Sequence, residues 1–171
     1  MKSKYTNLMQ IGIIVRDVDA SVKYYEEVLG IGNWEISWLA GEEGAMPDLT
    51  IDGNPRPDRV CKLAITHIFG IELELVEPVG PSQYMDWLNE HGPGMHHLGV
   101  TIDGDYDQLL ADHKDQEGLD PWVRGVAFNG LMDFSYLDFR EQTGLIVECY
   151  RNIAPGRRGV ASDYEGTLIA E

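Results

Sequence analysis

Two adjacent histidines, His96 and His97, open the stretch "GPGMHHLGVTID" at residues 92–103. Imidazole is a general acid, a general base and a common metal ligand near neutral pH. The residues after the pair alternate as a strand does. Leu98, Val100 and Ile102 fall on one face, and His97, Gly99 and Thr101 on the other. Adjacent strand residues point to opposite faces, so His96 is expected to turn away from whatever His97 serves. Two further strand-like stretches carry a carboxylate on the face away from their apolar side chains. "IELELVEP" places Glu74 there, and "LIVECY" places Glu148. Near the N-terminus, "QIGIIV" puts Gln10 and Gly12 opposite Ile11, Ile13 and Val15.

These positions belong to a repeat. Residues 10–31, "QIGIIVRDVDASVKYYEEVLGI", match residues 97–119, "HLGVTIDGDYDQLLADHKDQEGL". Each begins polar, apolar, Gly, apolar, passes an Asp-rich turn, and enters a helical stretch that stops at a glycine, Gly30 or Gly118. Glycine at that place is the usual left-handed helix cap. Asp19 and Asp105 are the expected N-caps. Val18, Val22, Tyr25 and Leu29 recur at helical spacing, as do Tyr106, Leu109 and Leu110. The two halves also close alike, in "GIELELVEP" and "GLIVECYRN".

His97 is thereby the repeat partner of Gln10, and Glu148 of Glu74. Two modules placed face to face would gather all four residues. Buried carboxylates without compensation are costly, and a divalent cation compensates them. Three oxygen donors and one imidazole nitrogen suit zinc, cobalt, nickel, manganese or iron(II) better than a thiolate-rich structural site would.

The expected order is α+β: strands at 9–15, 34–39, 60–68 and 71–78 with a helix at 19–29, a connector helix near 82–90, then strands at 95–102, 121–127, 131–138 and 144–150 with a helix at 105–116. Module 1 covers 8–79, the connector 80–92 and module 2 93–151, as one domain over 8–151. Residues 40–59 read as a long loop and 152–171 as a C-terminal extension.

Composition narrows the function classes. The formal net charge is −16 over 171 residues, which disfavours binding nucleic acid through its phosphates. Two basic groups stand out, Arg56–Arg59–Lys62 and Arg151–Arg157–Arg158, and each reads as readily as scattered surface charge. No apolar run approaches the roughly 20 residues of a membrane span. The N-terminus lacks a signal-peptide pattern, and Cys61 and Cys149 fall within strands, so a cytoplasmic protein with buried thiols is expected.

The paired modules, the "GPGMHHLGV" opening and the four ligand-like positions resemble the vicinal oxygen chelate superfamily over about residues 8–151. The stretch "ELVEPVGPSQYMDWLNEHGPGMHH" is similar to methylmalonyl-CoA epimerases, whereas the Gln/Glu/His/Glu set resembles zinc-type glyoxalase I. The resemblance implies two tandem βαβββ modules forming a curved, cupped mixed sheet. It implies one divalent metal held by Gln10, Glu74, His97 and Glu148. It further implies proton abstraction next to a carbonyl through a metal-stabilised enolate, with Glu148 as base and Glu74 opposite it. The substrate would be a small-molecule carbonyl compound or thioester and the assembly a homodimer. An iron(II) extradiol dioxygenase would ordinarily have His at Gln10, and a metal-free resistance-type binding protein would not need the ligand set. Asp58 is the nearest match to a further acid of the epimerases. Trp34, Trp38, Phe69, Trp87, Trp122 and Phe134 are candidates to line a pocket, most of them as core. His67 and His91 read as structural or surface residues, and His113 as surface.

Overall fold

Short polar punctuation sets the elements. Asp17 is extended (φ −156°), and its Oδ1 accepts from the N–H of Ala20 at 2.8 Å, which starts helix α1 (Val18–Tyr24). The cap is therefore Asp17 and not Asp19, which lies within the first turn and binds Lys62 Nζ at 2.6 Å. The helix widens into a π-helical turn (Tyr25–Leu29) and stops at Gly30, φ 69°. In the second copy Asp105 does cap α3 (Tyr106–Glu117), accepting from Gln108 N, and Gly118 ends it at φ 66°.

The computed structural model describes residues 4–41, 46, 48–127 and 132–151. The expected extension at 152–171, with Arg157 and Arg158, lies outside the described residues. The first half runs β1 (Tyr5–Ile14), α1, β2 (Glu35–Ala40), β3 (Thr50–Ile51), β4 (Asn54–Pro55), β5 (Arg59–Ile68) and β6 (Ile71–Pro78). After α2 (Gln83–His91) come β7 (Gly94–Ile102), α3, β8 (Val123–Ala127), β9 (Met132–Phe139), α4 (Arg140–Thr143) and β10 (Leu145–Tyr150).

The ten described strands join one mixed sheet in the order β2-β5-β6-β1-β7-β10-β9-β8-β3-β4. Strand β1 runs parallel to β6, β7 runs parallel to β10, and β1 meets β7 antiparallel. The order thus reads outward from β1 as it reads outward from β7, as two βαβββ modules related by a twofold through that seam would give. The apolar faces pack as their alternation predicts. Ile13 and Val15 meet Val18, Val22 and Tyr25 around α1, while Ile102 packs with Tyr106 and Leu109 around α3.

Residues 40–59 are not simply a loop. β3 and β4 form a hairpin whose turn, Asp52-Gly53, has φ of 51° and 75°, the positive values such two-residue turns need. β3 pairs with β8, so a segment of the first module extends the edge of the second.

Candidate functional site

The four central strands, β6, β1, β7 and β10, carry the polar residues. Pairing sets them in two rows. Glu74 and His97 stand either side of Gly12, while Gln10 and Glu148 stand either side of Gly99. Both glycines are required. A Cβ on Gly12 would fall within the ring of His97, and one on Gly99 would lie 2.8 Å from Gln10 Cβ. The repeat thus places a glycine of each module beneath the first-strand polar residue of the other, Gly12 under His97 and Gly99 under Gln10.

The side chains converge on His97 Nε2. It lies 3.1 Å from Gln10 Oε1, 3.1 Å from Glu148 Oε2 and 3.5 Å from Glu74 Oε2. All four residues are buried, and Gln10, Glu74 and Glu148 face a cavity of about 250 Å³. Tyr150 O–H donates to Glu148 Oε2 at 2.6 Å and lies 3.2 Å from Gln10 Oε1. Gln10 Nε2 donates to Glu72 Oε2 at 2.9 Å, which turns the amide oxygen of Gln10 toward His97. Leu39, Leu63, Val76 and Phe134 supply apolar wall.

Burial raises Glu72 and Glu74. Glu72 is pushed up to about 8, chiefly by desolvation, with the charge of Glu148 adding to it and the Gln10 hydrogen bond opposing it. Glu74 is driven well above the ordinary carboxylate range by burial, then by Glu148 and Glu72. No Lys or Arg lines the cavity among the described residues. Protons or a cation must therefore balance its acids.

Whether the donor set fits a metal can be tested on its spacing. Among the described residues no three His, Cys, Asp or Glu side chains stand open around a ready-made ion site. The donor atoms instead close on one another. Donors each about 2.1 Å from a zinc ion stand roughly 3.0–3.4 Å apart at octahedral to tetrahedral angles. The 3.1, 3.1 and 3.5 Å separations around His97 Nε2 are close to that, so small outward movements would admit an ion. The residues fit a divalent metal.

His96 does not turn away. Ile13 pairs with Met95 and Gly12 with His97, leaving His96 as the extra residue of a β-bulge. A bulge suspends the alternation, and both histidines are buried in succession. Their Nδ1 atoms lie 3.0 Å apart. Trp87, Trp122, Tyr136 and Tyr84 surround the His96 ring with centroids at 5.1, 5.2, 5.7 and 5.9 Å. Burial, followed by the neighbouring His97, lowers His96 to about 2, so it is a neutral prop behind His97.

Other candidates separate. Of the six aromatics, Phe134 lines the cavity. Trp34 donates to Ile31 O, Trp38 lies under the Arg59 guanidinium, and Phe69 is exposed. Trp87 and Trp122 pack on His96. Asp58 is exposed and paired with Arg56, away from the site. His67 and His91 are exposed. His113, expected on the surface, is buried between Tyr5 O–H at 2.9 Å and Glu117 at 3.2 Å. Glu72, Tyr84, Tyr136 and Tyr150 line the cavity without having been singled out from the sequence. Alternation does put Glu72 with Glu74 and Tyr150 with Glu148.

A family model described as "Glyoxalase/Bleomycin resistance protein/Dioxygenase superfamily" matches residues 9–131. The chain belongs to this superfamily. Its cupped sheet is also that of several solved structures. Methylmalonyl-CoA epimerase from Mycobacterium tuberculosis is 19% identical, with 91% of this chain and 93% of that one covered and a TM-score of 0.59. A hypothetical protein from Bacillus halodurans C-125 is 19% identical over 87% and 96%, with a TM-score of 0.59. A variant methylmalonyl-CoA epimerase from Streptomyces coelicolor, in complex with 2-nitronate-propionyl-CoA, is 22% identical over 85% and 96%, with a TM-score of 0.57. No curated protein matches the chain. Both free cysteines are buried, and no described helix is long and apolar enough to cross a membrane.

Proposed function

We propose that this superfamily member is a divalent-metal-dependent isomerase, epimerase or lyase that moves a proton next to a substrate carbonyl. The observation that carries the reading is the convergence of Gln10, Glu74 and Glu148 oxygens on His97 Nε2 within 3.5 Å, in a buried cavity. These four residues would hold the metal. A divalent ion there supplies Lewis acidity to the substrate oxygen on which negative charge develops.

The chain's own groups do the rest. Glu148, at the cavity wall, takes the proton from the carbon beside the carbonyl. The Tyr150 hydroxyl, 2.6 Å from Glu148 Oε2, orients that carboxylate and steadies its charge. Glu74, across the site, would deliver a proton of its own to the same or the neighbouring carbon, and the proton left on Glu148 would exchange with solvent. Burial raises the proton affinity of Glu74 once it is displaced from the metal. The apolar wall of Leu39, Leu63, Val76 and Phe134 keeps bulk water from the carbanion-like carbon. The epimerases among the structural neighbours, one with a CoA thioester analogue bound, support a carbonyl or thioester substrate. The same reading takes residues 8–151 as the catalytic domain of a cytoplasmic homodimer.

Elemental analysis of protein purified without added metal is the first test. We expect close to one divalent ion per chain, lost in His97→Ala and weakened in Glu148→Gln. Equal, weak metal binding in all three proteins overturns the site. Solvent-deuterium exchange into methylmalonyl-CoA, set against turnover of a glutathione hemithioacetal, then separates epimerase from glyoxalase chemistry. Light scattering checks the dimer.

A further inference from the structure

The hydroxyl beside Glu148 stands at the very end of a strand. Tyr150, whose O–H lies 2.6 Å from Glu148 Oε2, is the last residue of β10. It pairs with Phe134 of β9, but the ladder to β7 stops at Cys149. Strand ends of this kind open locally at little cost. A hydroxyl that is to hold one carboxylate oxygen needs its own backbone held.

Arg151 does so from the other face of the sheet. Its N–H donates to Asp133 O at 2.9 Å and adds one rung to the ladder. Its Nε donates to Asp133 Oδ2 at 2.7 Å, and both terminal nitrogens donate to the carboxylate of Asp107 in the first turn of α3. The guanidinium also lies over the Tyr106 ring, 5.1 Å from its centroid. Asp133 is buried, and Arg124 and the Tyr106 hydroxyl hold it in turn. A guanidinium fork can bind two carboxylates at once, so this one side chain ties β10 to both β9 and α3.

The first module fastens its helix differently. Asp19 matches Asp107 in the repeat. By strand register Lys62 matches Asp133, and Glu77 matches Arg151, with the charges exchanged. There the helix acid, Asp19, grips a cation on β5, Lys62, at 2.6 Å. In the second module the cation has moved to the strand that carries the site. Module 1 has Val76 in place of Tyr150, and β6 runs on past it to Pro78, which pairs with Cys61. It has neither a hydroxyl to place nor a loose end beside it.

We propose that Arg151 is a positioning residue, which fixes the end of β10 so that the Tyr150 hydroxyl stays on Glu148. The inference rests on the proposed function, in which Glu148 is the base and Tyr150 orients it.

Proton NMR of the chelator-treated full chain tests it. A hydroxyl proton in so short a bond to a carboxylate resonates far downfield, and its loss in Tyr150→Phe assigns it. Arg151→Met keeps the backbone rung, removes both ion pairs, and should abolish or broaden the resonance. Arg151→Lys keeps one charge without the fork and should diminish it less. Lys62→Met removes the matching cation of module 1 and should leave it unchanged. An unchanged resonance in Arg151→Met overturns the proposal, as does an equal loss in Lys62→Met or a wild type without the resonance. If Arg151→Met does not fold, an undiminished resonance in Arg151→Lys overturns it. The kinetic consequence is read with methylmalonyl-CoA. Arg151→Met should slow solvent-deuterium exchange by up to about tenfold, and should add nothing to the slowing caused by Tyr150→Phe. Additive slowing overturns the proposal, and the resonance decides alone if the wild type does not exchange this probe. A wild type that binds no metal overturns the functional reading, and with it the part of Arg151 in the reaction, whereas the other adverse outcomes strike this inference alone.

Discussion

Replacing Glu72 by glutamine in the metal-free protein should change how stability depends on pH. Glu72 holds its proton up to about 8 in the folded chain, whereas the ordinary value is 4.5. Between those values the folded state binds more protons than the unfolded state. Stability is then fully present below about 4.5 and is lost as pH rises through 8. One such group contributes a slope of about 1.4 kcal/mol per pH unit, so roughly 3–5 kcal/mol across the window. The amide of the Glu72→Gln variant cannot ionise and loses nothing. Urea unfolding of chelator-treated wild type and Glu72→Gln at pH 5, 6.5 and 8 reads the difference directly. The variant should gain on the wild type by several kcal/mol from pH 5 to pH 8, and the gap should level off above that. Glu74 titrates in both proteins, and because the Glu72 charge helps to raise it, its response widens the gap in the same direction. Saturating zinc should shrink the gap, because a nearby cation favours the carboxylate. A gap equal at pH 5 and pH 8 would refute the argument that burial, through this cavity, holds Glu72 neutral.

The glycines under the ligands can be tested by filling them. Gly12→Ala must displace the His97 ring, so it should cost about 1–3 kcal/mol in urea unfolding and sharply reduce zinc affinity by calorimetry. Gly99→Ala meets Gln10 less closely and should do both more mildly. Tyr150→Phe removes the hydroxyl on Glu148, and should slow substrate deuterium exchange about tenfold while leaving metal content near that of the wild type. Asp17→Ala should lower stability by about 1 kcal/mol through loss of the α1 cap, whereas Asp19→Ala, which loses a surface pair with Lys62, should change it by less.

Much of this architecture was legible because it is written twice. A glycine two residues after Gln10 and another two after His97 mean little singly. Together they announce two strands crossing closely, and the structure shows each glycine lying under the other module's polar side chain. Strand alternation then sorts Glu74 and Glu148 toward one cavity, because a period of two leaves no choice of face. Contacts between modules were not legible. The Asp52-Gly53 turn is a local hairpin signal, but nothing local says that its first strand will pair with β8. His113 lies on a polar helix, and only the approach of Tyr5 from the other module, with Phe139, buries it.

The misplacement of His96 shows where such reasoning gives way. Alternation is a property of paired strands, and it holds only while each residue has one partner. At the β1–β7 seam the chain spends two residues, His96 and His97, against Gly12 alone. The glycine leaves a space, His97 occupies it, and the neighbour is carried round into the aromatic cluster beneath α2. That position sets His96 directly behind His97. If Nε2 of His97 is to face oxygen donors as a ligand, its Nδ1 must carry the hydrogen, and His96 Nδ1 at 3.0 Å is placed to accept it. Under the proposed metal-dependent function the doublet would be one unit: His97 would face the centre as a ligand, and His96, kept neutral by burial, would accept from its Nδ1–H.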